Sequence, residues 1–238
     1  MTDLWLTMDG SPVPADLPPV PGHLLTPPRF DRGTSPEYGR TAWTWFRKLR
    51  SHCGKSEHFS CWGWDVVRVS YEDDARFARA MRALGQLAAL RVSCDREPND
   101  LIMHYYHHRI FQDDSLGNIL DGAFPDLARS YIMAHPDWDE HVPVRNQCFI
   151  FMDKEIIDNL SSAILPGEPG EPETTDQKMK AAVMHWVKVV DVFALIEGER
   201  QYRLRLWDLL DIYISVDDGL STKPNWEPRE EAGRSLEV

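Results

Sequence analysis

The chain has 238 residues, 42% of them hydrophobic and 27% charged, and a formal net charge of −12. These are the proportions of a soluble globular protein with room for one sizeable core, and the negative balance disfavours nucleic acid or anionic lipid as a general partner. Apolar runs fall far short of the roughly 20 residues that a bilayer crossing needs, and an N-terminus with early acidic residues and no apolar h-region resembles neither a secretory signal nor a presequence, so the expectation is a cytoplasmic protein without membrane contact.

Residues 1–60 read as a Pro-rich, partly basic arm. Eight of the seventeen prolines lie between Pro12 and Pro36, in a stretch with no apolar period, which favours extended backbone. Seven basic residues stand against two acidic ones between Arg29 and Lys55. Within that stretch, "WTWFRKLR" reads as a short amphipathic helix docking its aromatics, with a patch for an anionic partner as the alternative. "HCGKSEHFSC" places His52, Cys53, His58 and Cys61 within ten residues. Four such side chains match zinc's ligand chemistry, but the spacing fits no familiar closed module and adjacent Cys and His are awkward as joint ligands. An ordinary loop is the simpler reading, and no cofactor is expected. With four scattered cysteines, free thiols are expected rather than a disulfide framework.

Residues 61–216 carry the periodicities of a single domain. "WGWDVVRVSY" is β-branched and aromatic at period two, a strand over about Trp64–Tyr71. "EDDARFARAMRALGQLAAL" follows as a helix, with Phe77, Met81, Leu84 and Ala88 in one stripe and Asp73 and Asp74 at its positive end. "LIMHYYHHRIF" is a second strand and "FPDLARSYIMAH" a second helix, Pro125 being tolerated in its first turn. "QCFIFMD" is a buried strand that ends where a helix over Lys154–Ile164 begins, with Asp153 as its cap. The acidic, Pro- and Gly-containing stretch 165–178 reads as a flexible surface loop. "HWVKVVDVF" and "YRLRLW" are strands suited to pairing with each other, "LWDLLDIYISV" closes as a helix, and 217–238 is an irregular tail. The order β-α-β-(α)-β-α-β-β-α suggests an α+β, ferredoxin-like sandwich: helices on one face of a mainly antiparallel sheet, the other face open.

"WGWDVVRVSYEDDARFARAM", "LDGAFPDLARSY", "CFIFMDKEIIDNL" and "WVKVVD", in that order, resemble a widespread group of uncharacterised proteins from filamentous fungi. The resemblance covers about Trp62 to Val216. It implies a fungal origin and supports the domain limits, and it brings no activity with it.

The candidate chemistry centres on "HYYHHRIFQDD". On a strand, His104, Tyr106 and His108 share one side while Tyr105, His107, Arg109 and Phe111 share the other. His104 and His108 are then about 13 Å apart at roughly 3.3 Å per residue, too far to ligate one metal ion but open to acid–base work near neutral pH. A structural strand is the plain alternative. Arg68, on the side of Trp64 and Val66, either pairs with a carboxylate or anchors an anionic ligand through its planar fork, and Arg109 is a weaker candidate for the same role. Asp191, flanked by apolar residues, is either a desolvated acid or a partner for Arg68. No dinucleotide loop, P-loop, HExxH or GxSxG sequence is present.

Two functions are therefore carried forward, with a zinc-stabilised nucleic-acid-associated module over Arg29 to Cys61 as a third reading. The first is a binding or interaction protein whose partner, a protein, a small molecule or a second copy of the chain, meets the open sheet face. The second is a cofactor-independent acid–base enzyme, cyclase- or isomerase-like, acting on a small aromatic or polyketide-like metabolite. There His104 or His108 would be the base, with Asp191 as a candidate acid, Tyr106 a hydrogen-bond donor, and Arg68, Trp64 and Arg109 holding the ligand.

Overall fold

The computed structural model describes residues 4–13, 63–93, 107–112, 148–191 and 201–209. Within them the chain forms strand β1 (Leu4–Thr7), strand β2 (Asp65–Arg68), helix α1 (Asp74–Ser93), strands β3 (His107–Gln112) and β4 (Cys148–Met152), helix α2 (Lys154–Ser161), helix α3 (Thr175–Met184), and strands β5 (Trp186–Asp191) and β6 (Gln201–Arg205). The six strands make one sheet in the order β1-β3-β2-β4-β5-β6.

The α+β class is as expected, but the sheet is mixed rather than mainly antiparallel. β2 is parallel to both neighbours, with Val66 opposite Ile110 on one side and Ile150 on the other. β1 runs antiparallel to β3, and β5 and β6 continue antiparallel from β4. The difference lies in one unit. A ferredoxin-like split βαβ leaves a gap between its two strands for a third, whereas here β2 and β3, joined through α1, hydrogen-bond directly. The pairing of β5 with β6 is as their sequences suggest.

Local chemistry fixes the helix ends. The Asp73 carboxylate accepts from the Arg76 backbone N–H at 3.0 Å at the start of α1, and that of Asp153 accepts from Ile156 at 3.0 Å at the start of α2. α3 opens with a capping box, in which Thr174 Oγ1 accepts from the Gln177 N–H and the Gln177 side chain accepts from the Thr174 N–H. Such caps contribute about 1 kcal/mol each.

One face of the sheet meets the helices. Val66, Ile110, Ile150, Val187, Val189 and Leu204 pack with Phe77, Met81, Leu84 and Leu87 of α1 and Ile156, Ile157 and Leu160 of α2. The stripe read from the sequence of α1 is buried throughout. The other face was expected to be open. At the described positions it is buried as well: Val67, Phe111, Phe149, Phe151 and Val190 are all at or below 8% exposure. Continuous apolar runs such as "CFIFM" fit a strand covered on both sides.

The stretch 165–178, expected as a loop, carries defined turns and then the first turn of α3. Its organiser is Arg79 on α1. This guanidinium donates to the Ser161 and Ala163 carbonyls at the end of α2, at 2.7 and 2.9 Å, and grips Glu168 with two bonds of 2.6 and 2.8 Å. Glu168 also accepts from the Leu165 N–H. The Arg79 bonds hold the Glu168 carboxyl down to about 2.

No helix among the described residues is long and apolar enough to cross a membrane.

Candidate functional site

The parallel trio β3-β2-β4 places the nominated residues in two lateral rows. The first lies at the amino ends of these strands. Leu6 is opposite His108 and Cys148 is opposite Asp191, while the β2 registers carry Trp64 between His108 and Cys148. His108, Trp64, Cys148 and Asp191 therefore lie along one line on the helix-covered face, all at or below 5% exposure. His108 shares this side with Ile110, so its side of the strand looks into the main core and not toward a ligand.

Gly63 explains how this row closes. Its φ is +135°, and a β-carbon there would lie 2.0 Å from the His107 carbonyl oxygen. Only glycine lets the chain approach β3 so closely, after which the Trp64 carbonyl accepts from the Arg109 N–H at 3.1 Å. Cys148 has its thiol pushed well up by burial, and further by the charges of Asp191 and Asp65. A thiol so placed stays protonated and is a poor nucleophile and metal ligand.

On the opposite face sit Asp65, His107, Arg109, Phe111 and Lys188. Arg109 donates through Nε to Asp65 Oδ1 at 3.0 Å and through a terminal nitrogen to Oδ2 at 2.5 Å, with both side chains at or below 5% exposure. Its guanidinium also lies 4.7 Å from the Phe111 ring centroid. The fork proposed for a ligand is thus filled by a carboxylate of the neighbouring strand.

The second row lies at the carboxyl ends. Arg68 stands opposite Gln112 and Met152, far from Asp191, so the pairing considered between Arg68 and Asp191 does not occur. Instead Arg68 donates to Asp74 at 2.5 Å and to the Ser70 carbonyl at 3.0 Å, and packs over the rings of Tyr71 and Phe77 at 4.5 and 4.2 Å. It pins the β2–α1 turn to the helix start.

Two strands away, on β5, is the start of a group that sequence reasoning missed. Lys188, nearly buried on β5, binds Asp153 and reaches Glu155 at 2.6 Å; Arg203 on β6 donates to Glu155 at 2.8 Å and stacks on Trp186 at 3.3 Å. Asp153 therefore caps α2 and neutralises Lys188 at once. The signal was a charge inside an apolar strand: Asp65 in "WDVV" and Lys188 in "VKVV" interrupt runs that otherwise read as fully buried.

In parallel sheets, ligands favour the carboxyl ends of strands, where helix N-termini attract anions. Here the N-termini of α1 and α2 are both filled by the chain's own aspartates, Asp73 and Asp153, and Lys154 pairs with Glu72 across the same edge. The arrangement suits holding loops in place better than receiving a phosphate.

His104 and Tyr106 lie outside the described residues, as do His52, Cys53, His58 and Cys61, the helix read from "FPDLARSYIMAH", the basic arm and the C-terminal tail. Among the described residues no cluster of three or more His, Cys, Asp or Glu side chains is placed to hold a metal ion.

Comparison with protein-family models, with curated proteins and with solved structures found no match to this chain.

Proposed function

We propose that this protein acts by binding another polypeptide, and that the polar residues of its sheet serve to hold the fold. What supports this reading over the acid–base alternative is the burial of β3 on both sides. His107, His108 and Arg109 are at or below 4% exposure, and Arg109 is gripped by Asp65. A strand so enclosed is a poor lining for a substrate pocket, which needs a few convergent polar groups facing a concave space. Arg68, the anion anchor of the acid–base alternative, is likewise engaged by Asp74 and by two aromatic rings. A resemblance in motif order to uncharacterised fungal proteins, and with it a cytoplasmic location in a filamentous fungus, belong to the same proposal.

Fluorescence-detected sedimentation of the tagged full-length chain, purified and in a lysate of the cells that make it, tests the reading. Sedimentation as a species larger than one chain in either setting is the expected result. A single-chain species in both, across a hundredfold range of concentration, overturns it. The acid–base alternative would gain if a panel of aromatic metabolites raised Tm for the wild type but not for His108→Ala.

A further inference from the structure

The N-terminal residues form a small hairpin whose turn is organised by one carboxylate. The Thr7 N–H donates to the Ser11 carbonyl at 2.8 Å and the Gly10 N–H to the Thr7 carbonyl at 3.0 Å. Leu6 bridges back to Pro12, so the chain after the turn runs along the outside of β1, away from β3. Asp9 is the centre of the turn, accepting from Thr7 Oγ1 and, at 3.2 Å, from the Ser11 N–H. The Thr7 hydroxyl holds the Asp9 carboxyl below its ordinary range; burial opposes this, and the Ser11 N–H and hydroxyl add smaller pulls in the same direction as Thr7. The turn rests on α1, with the Met8 carbonyl over Gly85 and Gly10 against the stem of Arg82.

Two features single out Ser11. It is exposed, as is Pro12 beside it, on the outer arm of the hairpin. Among the described serines and threonines, Ser11 alone precedes a proline. Proline offers no backbone N–H, and proline-directed protein kinases are the enzymes whose substrate groove accepts it directly after the acceptor hydroxyl.

We propose that Ser11 is a phosphorylation site for a proline-directed kinase, and that the phosphate releases β1 from β3. The proposal is independent of the binding reading above. Ser11 Oγ attacks the γ-phosphorus of ATP. The new O–P bond forms as the bond to the β-phosphate oxygen breaks, ADP leaves, and the hydroxyl proton passes to the kinase's base. The product carries about −1.5 to −2 charge at pH 7. A hydroxyl that draws on Asp9 is thereby replaced by an anion that repels it and competes with it for the Ser11 N–H. Arg82 attracts the phosphate from α1 and offsets part of this repulsion. Little else anchors the hairpin: of the described side chains in residues 4–13, only Leu6 is buried. Loosening the turn therefore frees the strand.

The test treats the full-length chain with ATP and a purified proline-directed kinase. Peptide mass mapping separates Ser11 from Thr26 and Ser35, the other two hydroxyl residues followed by proline. The expected result is stoichiometric phosphate at Ser11 and about fivefold faster amide exchange over residues 4–11, with β4 and β5 unchanged. Ser11→Ala is expected to abolish the response. Asp9→Asn keeps the acceptor and removes the facing charge, so there the phosphate is expected to leave exchange unchanged or slow it through Arg82. No phosphate at Ser11, under conditions that fully label a Ser-Pro reference peptide, overturns the site. Phosphate at Ser11 of the wild type without faster exchange, or equal acceleration in Asp9→Asn, overturns the release.

Discussion

Asp65 and Arg109 each give up hydration to make a pair of hydrogen bonds inside the sheet, so the two are worth having only together. Removing one partner strands a buried charge, a loss of about 3–5 kcal/mol. Arg109→Ala is expected to lower stability by that amount in urea denaturation. Replacing both residues with leucine is expected to cost far less, because no charge is left uncompensated. Gly85 gives a second prediction in which sign is decisive. On helix propensity alone Gly85→Ala would stabilise α1 by about 1 kcal/mol. A β-carbon at Gly85 would lie 2.3 Å from the Met8 carbonyl oxygen, in the space that the methyl group needs, so the expected outcome is a lower Tm and faster proteolysis near Met8. A raised Tm would show that the Thr7–Ser11 turn shifts aside at little cost. Of the individual residues, the capping role of Asp153 was legible in the sequence, because it depends on a near neighbour; for Arg68 the sequence offered a ligand or Asp191 as partner, and the carboxylate it binds is that of Asp74. The Asp65–Arg109 pair was not legible, since 44 residues separate them and only the parallel register sets them side by side.

At the scale of elements, legibility followed periodicity. β2, β4, β5, α1 and α2 each bury a repeating set of apolar residues and were read close to where they lie. α3 was not: only Ala182 on it is buried, so its apolar stripe is faint, and the usable signal was the Thr174–Gln177 capping box. β1 is four residues long beside a Pro-rich stretch, and its strand character comes from β3 and not from its own sequence. Two pH responses belong here. Glu168 is held to about 2 by Arg79, below its ordinary 4.5. The pairing is therefore complete above that ordinary value and is lost as pH falls through 4 toward 2. Amide exchange at 165–171 is expected to accelerate over that range, and Glu168→Gln to remove the dependence. His185, which joins the end of α3 to Asn159 at the end of α2, has its pKa lowered by burial, partly offset by its bond to the Asn159 carbonyl. The unfolded chain then binds a proton more readily than the folded one. Stability is full above the ordinary histidine value of 6.5 and declines as pH falls below it, and His185→Gln is expected to flatten that part of the Tm–pH curve.

For the whole molecule, the mixed sheet changes what a reader of the sequence expects. At the described positions both sheet faces are covered, so His107 and His108 belong to the interior and not to an open ligand surface, and β2 pairs directly with β3 in a mixed sheet. Period-two alternation says which side chains share a face. It does not say which face meets the helices, and for His108 the sequence suggested the reverse. Cys148 lies at the centre of this arrangement, so its thiol is expected to resist aromatic disulfide reagents in the native state and to react at the rate of global unfolding. Labelling that is fast in native buffer would mean that the sheet opens locally.

The position of β1 also bears on synthesis. Leu4 leaves the ribosome more than a hundred residues before Ile110, its partner on β3. At about 5–20 residues per second, the leading strand waits on the order of 5–20 seconds before its place beside β3 exists. During that interval the backbone groups of β1 have no partner strand, so they are satisfied by water until β3 has been made.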